Sequence, residues 1–468
     1  MKGKQLALGL SLVAFTLSGL ATDDKTIRLV GDVMLGRLVG EWMDATGRSP
    51  WDKWHENRVA AMVGNFEGAI GTPSECIARP ICLPVNQGRL PALTAAGFTR
   101  MIVTNNHAMD LGPRALERTI GALEAAGVPA IDKERSPDFL LLGDRTIAIA
   151  AASIITDATG QKSRIPGYEF ARQLRLAASL ADWTIVYLHW GAEMRNWLTP
   201  EDEQRAKWLI ASGADVIAGT HPHVPISPRC IAGHPVIPSL GNHVFDQRYP
   251  ETWKGLVADC TAEGGALSCT TWTTERDKDS FAPRRKSVPE HLPCSVQARE
   301  RTTYEGVSVS GQRLPDGRLT FSGWAGGQKQ WTAPAAKVLS FDRARFERGN
   351  PRLALMMLMQ FSKIDGEIAP RPYVYEVRPT GLFPRWRGSA LAWPLLDARP
   401  MDTGDGTDVL CALHRGDSFL AKNPKTKRRL SMVYRWTGFG FRGGRDQALS
   451  DRCAQTWREA GEDVNPTF

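Results

Sequence analysis

Between residues 26 and 246 the chain repeats one pattern: a short apolar run, a polar cluster, then a segment with helical spacing. The run at 26–30 leads into Gly31 and Asp32, and that at 59–63 into Gly64, Asn65, Phe66 and Glu67. The run at 98–103 leads into Thr104, Asn105, Asn106 and His107. Those at 185–188 and 215–218 end in His189-Trp190 and in Thr220-His221-Pro222-His223, and 235–237 leads to Ser239 through His243. Residues 147–150 read as one more buried strand. Helices are predicted over 86–97, 113–127, 170–181 and 201–212, with Pro113 and Pro200 placed where a first helical turn tolerates proline. Strands alternating with helices predict an α/β layered core, not an all-α or all-β one.

The pattern changes after residue 252. Residues 305–309 and 318–321 flank Pro315-Asp316-Gly317, a hairpin signal. The stretch 252–340 reads as an extension of the first unit's sheets carrying a polar insertion at 274–300. Asn350-Pro351 predicts a helix over 352–361. Beyond 368, aromatic and arginine-rich segments such as 373–377 and 432–436 alternate with Pro and Gly. They predict a smaller β-rich C-terminal domain of unknown role over 345–468, after a first domain over 22–344.

The N-terminus is read differently. Lys2 and Lys4 precede an apolar stretch at 6–20 that closes on Gly19-Leu20-Ala21, the form of a cleaved secretory signal over 1–21. The expectation is a secreted or periplasmic protein with no retained transmembrane segment. Export turns the eight cysteines into disulfide candidates. Cys76 and Cys82 bracket a short proline-bearing loop, and Cys260 and Cys269 flank Glu263-Gly264-Gly265. Cys230–Cys294 and Cys411–Cys453 complete one possible set. None has the spacing of a structural zinc site.

The net charge is +8, and residues 369–453 carry 15 Lys or Arg against 8 Asp or Glu. A polyanion clamp and a plain solvated basic surface both fit this excess. Nucleic acid is not an expected partner outside the cytoplasm. The loop at 402–408 has the composition of a calcium loop without its spacing.

The polar clusters carry the chemistry. Each follows a strand directly, and the carboxyl ends of parallel strands share one edge, where ligands bind. Singly, Asp32 can cap a turn, Glu67 can be a turn residue, and His189 can be a hydrogen-bonded core histidine. His221 and His223 are harder to explain so, because alternate residues of an extended segment face one side. Taken together, the clusters predict a metal site of mixed oxygen and nitrogen donors, suited to manganese, iron or zinc.

The order of these clusters resembles the calcineurin-like metallophosphoesterases. More closely, it resembles the CapA family of capsule and poly-γ-glutamate biosynthesis proteins. The stretches that carry the likeness are GDVMLGR (31–37), GNFEGAI (64–70), TNNHAMDLG (104–112), YLHWGAE (187–193), GTHPHVP (219–225) and SLGNHVFD (239–246). The resemblance implies an α/β/β/α sandwich holding two divalent ions. Asp32 and His223 would serve the first ion, Asn106, His189 and His221 the second, and Glu67 would bridge them. His107 would face the substrate as acid or charge stabiliser, with Asp110 orienting its ring. Asn65, Asn105, Trp190, Glu193 and His243 are the candidates for lining the substrate pocket. Two departures stand out: Met34 where a phosphoesterase has a first-motif histidine, and Glu67 where a shorter Asp is usual.

The implied role is a metal-dependent, phosphoesterase-type hydrolase in the synthesis, export or anchoring of an anionic envelope polymer. Its partners would be that polymer or a phosphorylated envelope compound, and polymer-synthesis membrane proteins. The alternative is a non-catalytic polyanion-binding or scaffold protein with a relict metal site.

Overall fold

Strands that are apolar at every position need cover on both faces, and that requirement builds the N-terminal part of the molecule. The computed structural model describes residues 23–77, 81–160, 167–363, 365–388, 391, 393–416 and 429–466; the signal segment expected over 1–21 lies outside them. Asp23–Val33 is central in the first sheet, parallel to Val59–Phe66 and antiparallel to Lys254–Glu263. That sheet continues through Arg100–Ile102 and Ala130–Ile131 on one side and through Ala266–Arg276 on the other. The second sheet runs in the order Arg229–Ile231, His234–Ile237, Val216–Thr220, Trp183–His189, Arg145–Ser153, Asp138–Leu142. Its four middle strands are parallel.

Residue alternation decides what each face meets. Ile27, Leu29 and Val63 of the first sheet pack against Ile147, Ile185 and Tyr187 of the second, forming the core between the sheets. Val30, Met62 and Phe66 point the other way, into a cluster with Val39, Leu93 and Ile120. Those three lie on the helices Arg37–Thr46, Pro91–Ala96 and Pro113–Ala125. Val186 and Leu188 likewise meet Leu174 and Leu209 of the helices Tyr168–Leu180 and Pro200–Ala211. The result is the α/β/β/α sandwich. Thr199 and Asp202 form a capping box at the start of Pro200–Ala211, with Pro200 at its first turn.

Three expectations are corrected. The helix expected at 86–97 is a short 3-10 turn, Gln87–Arg89, followed by Pro91–Ala96. The polar insertion expected at 274–300 is sheet: Pro283–Arg285 and Glu290–Gln297 both pair with Ala266–Arg276. The helix expected at 352–361 is the strand Leu353–Phe361. Its Leu353, Leu355 and Met357 enter one core cluster and its Ala354, Met356 and Leu358 another. A strand buried on both faces reads as an unbroken apolar run, which periodicity cannot separate from a buried helix.

The hairpin about Pro315-Asp316-Gly317 joins Val307–Arg313 to Leu319–Ala325. This sheet and the next, which begins at Val338–Arg343, cover Leu176 and Leu180 of the helix Tyr168–Leu180. Residue 345 falls between two paired strands, Val338–Arg343 and Leu353–Phe361, so the C-terminal sheets begin ahead of it. A further sheet, Leu395–Asp402 to Arg429–Trp436, holds the helix Gln447–Glu459 through Cys411–Cys453. The loop at 402–408 is its hairpin turn, with Asp405 accepting from Thr403 and Thr407 and Asp408 from Arg345. The other disulfides are Cys76–Cys82, Cys260–Cys269 and Cys230–Cys294. The last ties the edge of one sheet to that of the other, since Cys230 lies in Arg229–Ile231 and Cys294 in Glu290–Gln297. Among the described residues no helix is long and apolar enough to cross a membrane.

Candidate metal centre

Parallel register brings the strand ends level. Asp32 pairs with Asn65 on one side and Asn242 on the other, and His189 pairs with Thr220 and with Ser153. One sheet therefore delivers Asp32, Asn65, Glu67 and residues 105–107, and the other delivers His189, His221 and His223. All meet at one end of the crevice between the sheets.

At the core of the centre, Asp32, Glu67 and His223 are fully or nearly buried and place their ligand atoms within 4.8 Å of one another. His223 Nδ1 lies 3.2 Å from Asp32 Oδ2, and its Nε2 lies 3.6 Å from Glu67 Oε1. Asn242 Oδ1, 3.0 Å from His223 Nδ1, fixes the ring. Burial and the neighbouring Asp32 charge push the Glu67 carboxyl well above the usual range. Burial alone would lower His223, but the Glu67 and Asp32 carboxylates outweigh it and raise it to about 10. Two buried carboxyl groups thus face a single imidazole. The His221 and His223 backbones take φ of 96° and 58°, the left-handed region that non-glycine residues rarely occupy and that clusters at functional sites.

Beside this lies a second group. His189 Nε2 is 2.8 Å from Asn106 Oδ1, and its Nδ1 is 3.0 Å from Thr220 Oγ1. The His189 and His221 ring centroids are 4.8 Å apart. Burial lowers both rings, His221 to about 3, so both are neutral donors at ordinary pH.

The donor set fits divalent cations. Glu67 Oε1 and His221 Nδ1 are buried without a hydrogen bond among the described residues, and such orphans are costly unless something binds them. Met34, in place of the usual histidine, offers no nitrogen; it packs in the outer apolar cluster, and its Sδ accepts from Gly36 N–H. Asp32 and His223 hold their corner without it.

His107 faces the centre with Nε2 3.9 Å from Glu67 Oε1. Its Nδ1 is 2.8 Å from Asp110 Oδ2, which also accepts from Leu83 N–H. Asp110 therefore holds the ring. Asn65 and Asn105, expected along the substrate pocket, are buried supports. Asn65 Nδ2 donates to Asp32 Oδ1 at 2.8 Å. Asn105 donates to Asn65 Oδ1 and to Phe66 O, and accepts from His107 N–H. Glu193 is exposed, and its charge reaches Glu67.

Two candidates are not brought to the centre. Trp190 is buried in the outer cluster of the second sheet, with Nε1 donated to Pro238 O. His243 turns into an aromatic cage of Trp51, Trp54 and Phe98 and accepts from Trp51 Nε1. Asn242, its neighbour, is the residue that reaches the site, and alternation along the strand Asn242–Val244 is the reason. Asn242 and Thr220 were overlooked because short polar side chains at strand ends carry no metal signal of their own.

Residues 26–247 match the family described as "Bacterial capsule synthesis protein PGA_cap". The chain is 30% identical over 317 residues to the PGA biosynthesis protein CapA of Bacillus subtilis, covering 62% of this chain and 80% of that protein. It is 30% identical over 256 residues to the capsule biosynthesis protein CapA of Bacillus anthracis, covering 48% and 61%. A solved phosphatase from Mycoplasma pneumoniae aligns at 14% identity with a TM-score of 0.31, covering 57% of this chain and 95% of that one. The family match spans the segment that supplies every residue of the centre, and with the Bacillus subtilis relative covered over 80% of its length at 30% identity, the chain belongs to the bacterial capsule synthesis (PGA_cap, CapA-type) family.

Proposed function

We propose that this protein is a metal-dependent hydrolase of the phosphoesterase type that serves the making, export or anchoring of an anionic envelope polymer. The observation that carries this reading is the buried Asp32–Glu67–His223 cluster, with orphaned donors on Glu67 and His221, set beside an oriented His107–Asp110 pair. A site kept only for structure would pair its buried acids with Arg or Lys, and among the described residues this one does not.

Asp32, Glu67 and His223 would hold one divalent ion, and Asn106, His189 and His221 another beside it. Such ions supply Lewis-acid polarisation of a phosphoryl group and of the attacking water. The chain's own residues do the rest. Asp110 holds His107 Nδ1, so the Nε2 face points at the centre and can hand a proton to a leaving oxygen. Asn65 and Asn105 lock Asp32 and the His107 backbone into one hydrogen-bonded unit. Burial of the centre excludes bulk water and strengthens each electrostatic contact.

The polymer role is supported by the names of the two Bacillus relatives. The basic stretch at 369–453 fits a polyanion clamp or a plain solvated surface, and several of its described arginines are tied to acids. Arg371 binds Asp365, Arg378 and Arg385 bind Glu376, and Arg435 binds Asp446. The run of Lys422, Lys425, Lys427 and Arg428 lies outside the described residues. The non-catalytic alternative is separated by one experiment. Elemental analysis and p-nitrophenyl phosphate turnover are measured on the full chain before and after chelation. Bound manganese, iron or zinc with chelator-sensitive turnover supports the hydrolase; a metal-free, inactive protein that binds polyglutamate supports the scaffold.

A further inference from the structure

The residues that follow the bridged pair Cys76 and Cys82 both turn their backbone N–H groups onto Asp110. Ile77 N–H donates to the Asp110 carbonyl at 3.0 Å, and Leu83 N–H donates to Asp110 Oδ2 at 2.8 Å. That same Oδ2 holds His107 Nδ1, also at 2.8 Å. Cys82 Sγ lies 4.0 Å from the Asp110 carbonyl oxygen. Both half-cystines pack against the cluster of Ala69, Leu111 and Ala115. Leu111 adjoins Asp110 in the chain, and Ala69 stands two residues beyond Glu67.

The Leu83 peptide joins two sides of the centre. Its N–H serves Asp110, and its carbonyl accepts from Ala69 N–H at 3.0 Å. Gly68, between Glu67 and Ala69, has no room for a side chain, since a Cβ there would stand 2.7 Å from that carbonyl. The sheet anchor of this strap is short: Ala69–Ile70 and Pro84–Val85 pair over two residues. The bridge adds a covalent tie that holds the Cys76 and Cys82 Cα atoms 6.2 Å apart, and with them the two donors to Asp110. A carboxylate that orients a histidine does so only while its own position is fixed. Cys76 and Cys82 are half-buried and line a groove of about 740 Å³, whereas Cys260–Cys269 and Cys411–Cys453 are fully buried. The bridge beside the His107–Asp110 pair is therefore open to reagents that those two are shielded from.

We propose that the Cys76–Cys82 disulfide is a positioning element: it keeps Leu83 N–H on Asp110 and so sets the His107 ring to serve a leaving oxygen. Its kinetic consequence rests on the hydrolase reading above. A phosphoester with a poor leaving group depends most on a placed acid, so phenyl phosphate and p-nitrophenyl phosphate are compared on the full chain with Mn²⁺. Cys76→Ser/Cys82→Ser should lower kcat on phenyl phosphate by roughly ten- to a hundredfold, part of what a general acid supplies, and by clearly less on p-nitrophenyl phosphate. KM and bound metal should hold. Equal losses on both esters, loss of metal, or no loss would overturn the proposal. Should that variant not fold, the bridge is opened chemically in a Cys230→Ser/Cys294→Ser protein, which lacks the other half-exposed disulfide. Dithiothreitol gives the bridge two electrons and two protons, leaving two thiols and its own cyclic disulfide. Phenyl phosphate turnover should fall as thiols appear at 76 and 82 and return on re-oxidation; unchanged turnover with the bridge open overturns the proposal. If the wild type hydrolyses neither ester, the hydrolase reading falls, and positioning is judged on the metal-free protein. The readout is then the downfield proton NMR signal of His107 Nδ1–H bonded to Asp110. Its loss in Cys76→Ser/Cys82→Ser supports the proposal, and its retention there, or its absence from the wild type, overturns it.

Discussion

Buried acids stand at the entry end of strands in the second sheet and at the exit end of strands in the first, and the two sets have opposite partners. At the entry end, Asp182 precedes the strand Trp183–His189 and Asp215 precedes Val216–Thr220. Asp182 accepts from Arg301, Arg145 and the Thr146 N–H; Asp215 pairs with Arg299 at 2.6 Å and accepts from Thr184 N–H. At the exit end, Asp32 and Glu67 are as deeply buried, yet among the described residues imidazoles and amides, not arginines, surround them. Burial pushes Asp182 up, but Arg301 and the Thr146 amide overcome this and hold it below the usual carboxylate range; burial outweighs Arg299 at Asp215 and leaves it raised, and Glu67, without an arginine among the described residues, lies well above the range. An acid matched by arginine is a strut. An acid left short of positive charge is a seat for a cation.

Four substitutions or treatments press on that contrast. His107→Ala should lower phosphoester turnover by roughly a hundredfold to ten-thousandfold while elemental analysis shows the metal content retained; loss of metal instead would place His107 among the ligands. Glu67→Gln should weaken divalent-metal affinity by more than about a hundredfold, since even outer partners of a ligand are worth ten to a hundredfold. Its melting temperature in chelator should match or exceed that of the wild type, because a buried like-charge contact with Asp32 is relieved. A marked fall in melting temperature would make the exit-end acid a strut after all.

Asp182→Ala should do the reverse, costing about 2 kcal/mol in denaturant unfolding with metal affinity unchanged. A fully buried pair would cost more, but the Arg301 side chain is 35% exposed. Acid should erase that difference. The Asp182 carboxyl is lowered in the folded state, so its contribution is present above the unfolded value of about 3.9 and fades as pH falls through the folded one. Unfolding curves for wild type and Asp182→Ala should therefore converge below about pH 4, and a constant gap down to pH 2 would contradict the pairing.

Much of this was readable in the chain. Apolar runs followed by Asp32, Glu67, Asn106, His189, His221 and His223 announced both the parallel strands and the rim they share. Pro113 and Pro200 marked helix starts correctly. The two misplaced site residues share one cause: direction. His243 and Asn242 are neighbours, and only the pleat determines that the amide meets His223 while the imidazole enters an aromatic cage. Trp190 follows a site histidine and still faces the outer core. The run at 353–361, rich in Leu and Met, suits a helix by propensity and became a strand because two separate cores waited on its two faces.

Local spacing and the need to bury apolar faces are properties of short segments, so the residue types at each strand end could be read from the chain. Which acids find a cation depends on long-range packing. Arg301 reaches Asp182 from 119 residues away and Arg37 meets Asp246 from 209, whereas among the described residues no arginine or lysine arrives at Asp32 or Glu67. Charge pairing inside a protein is a matter of distance and desolvation, and distance is set when the two sheets close on each other.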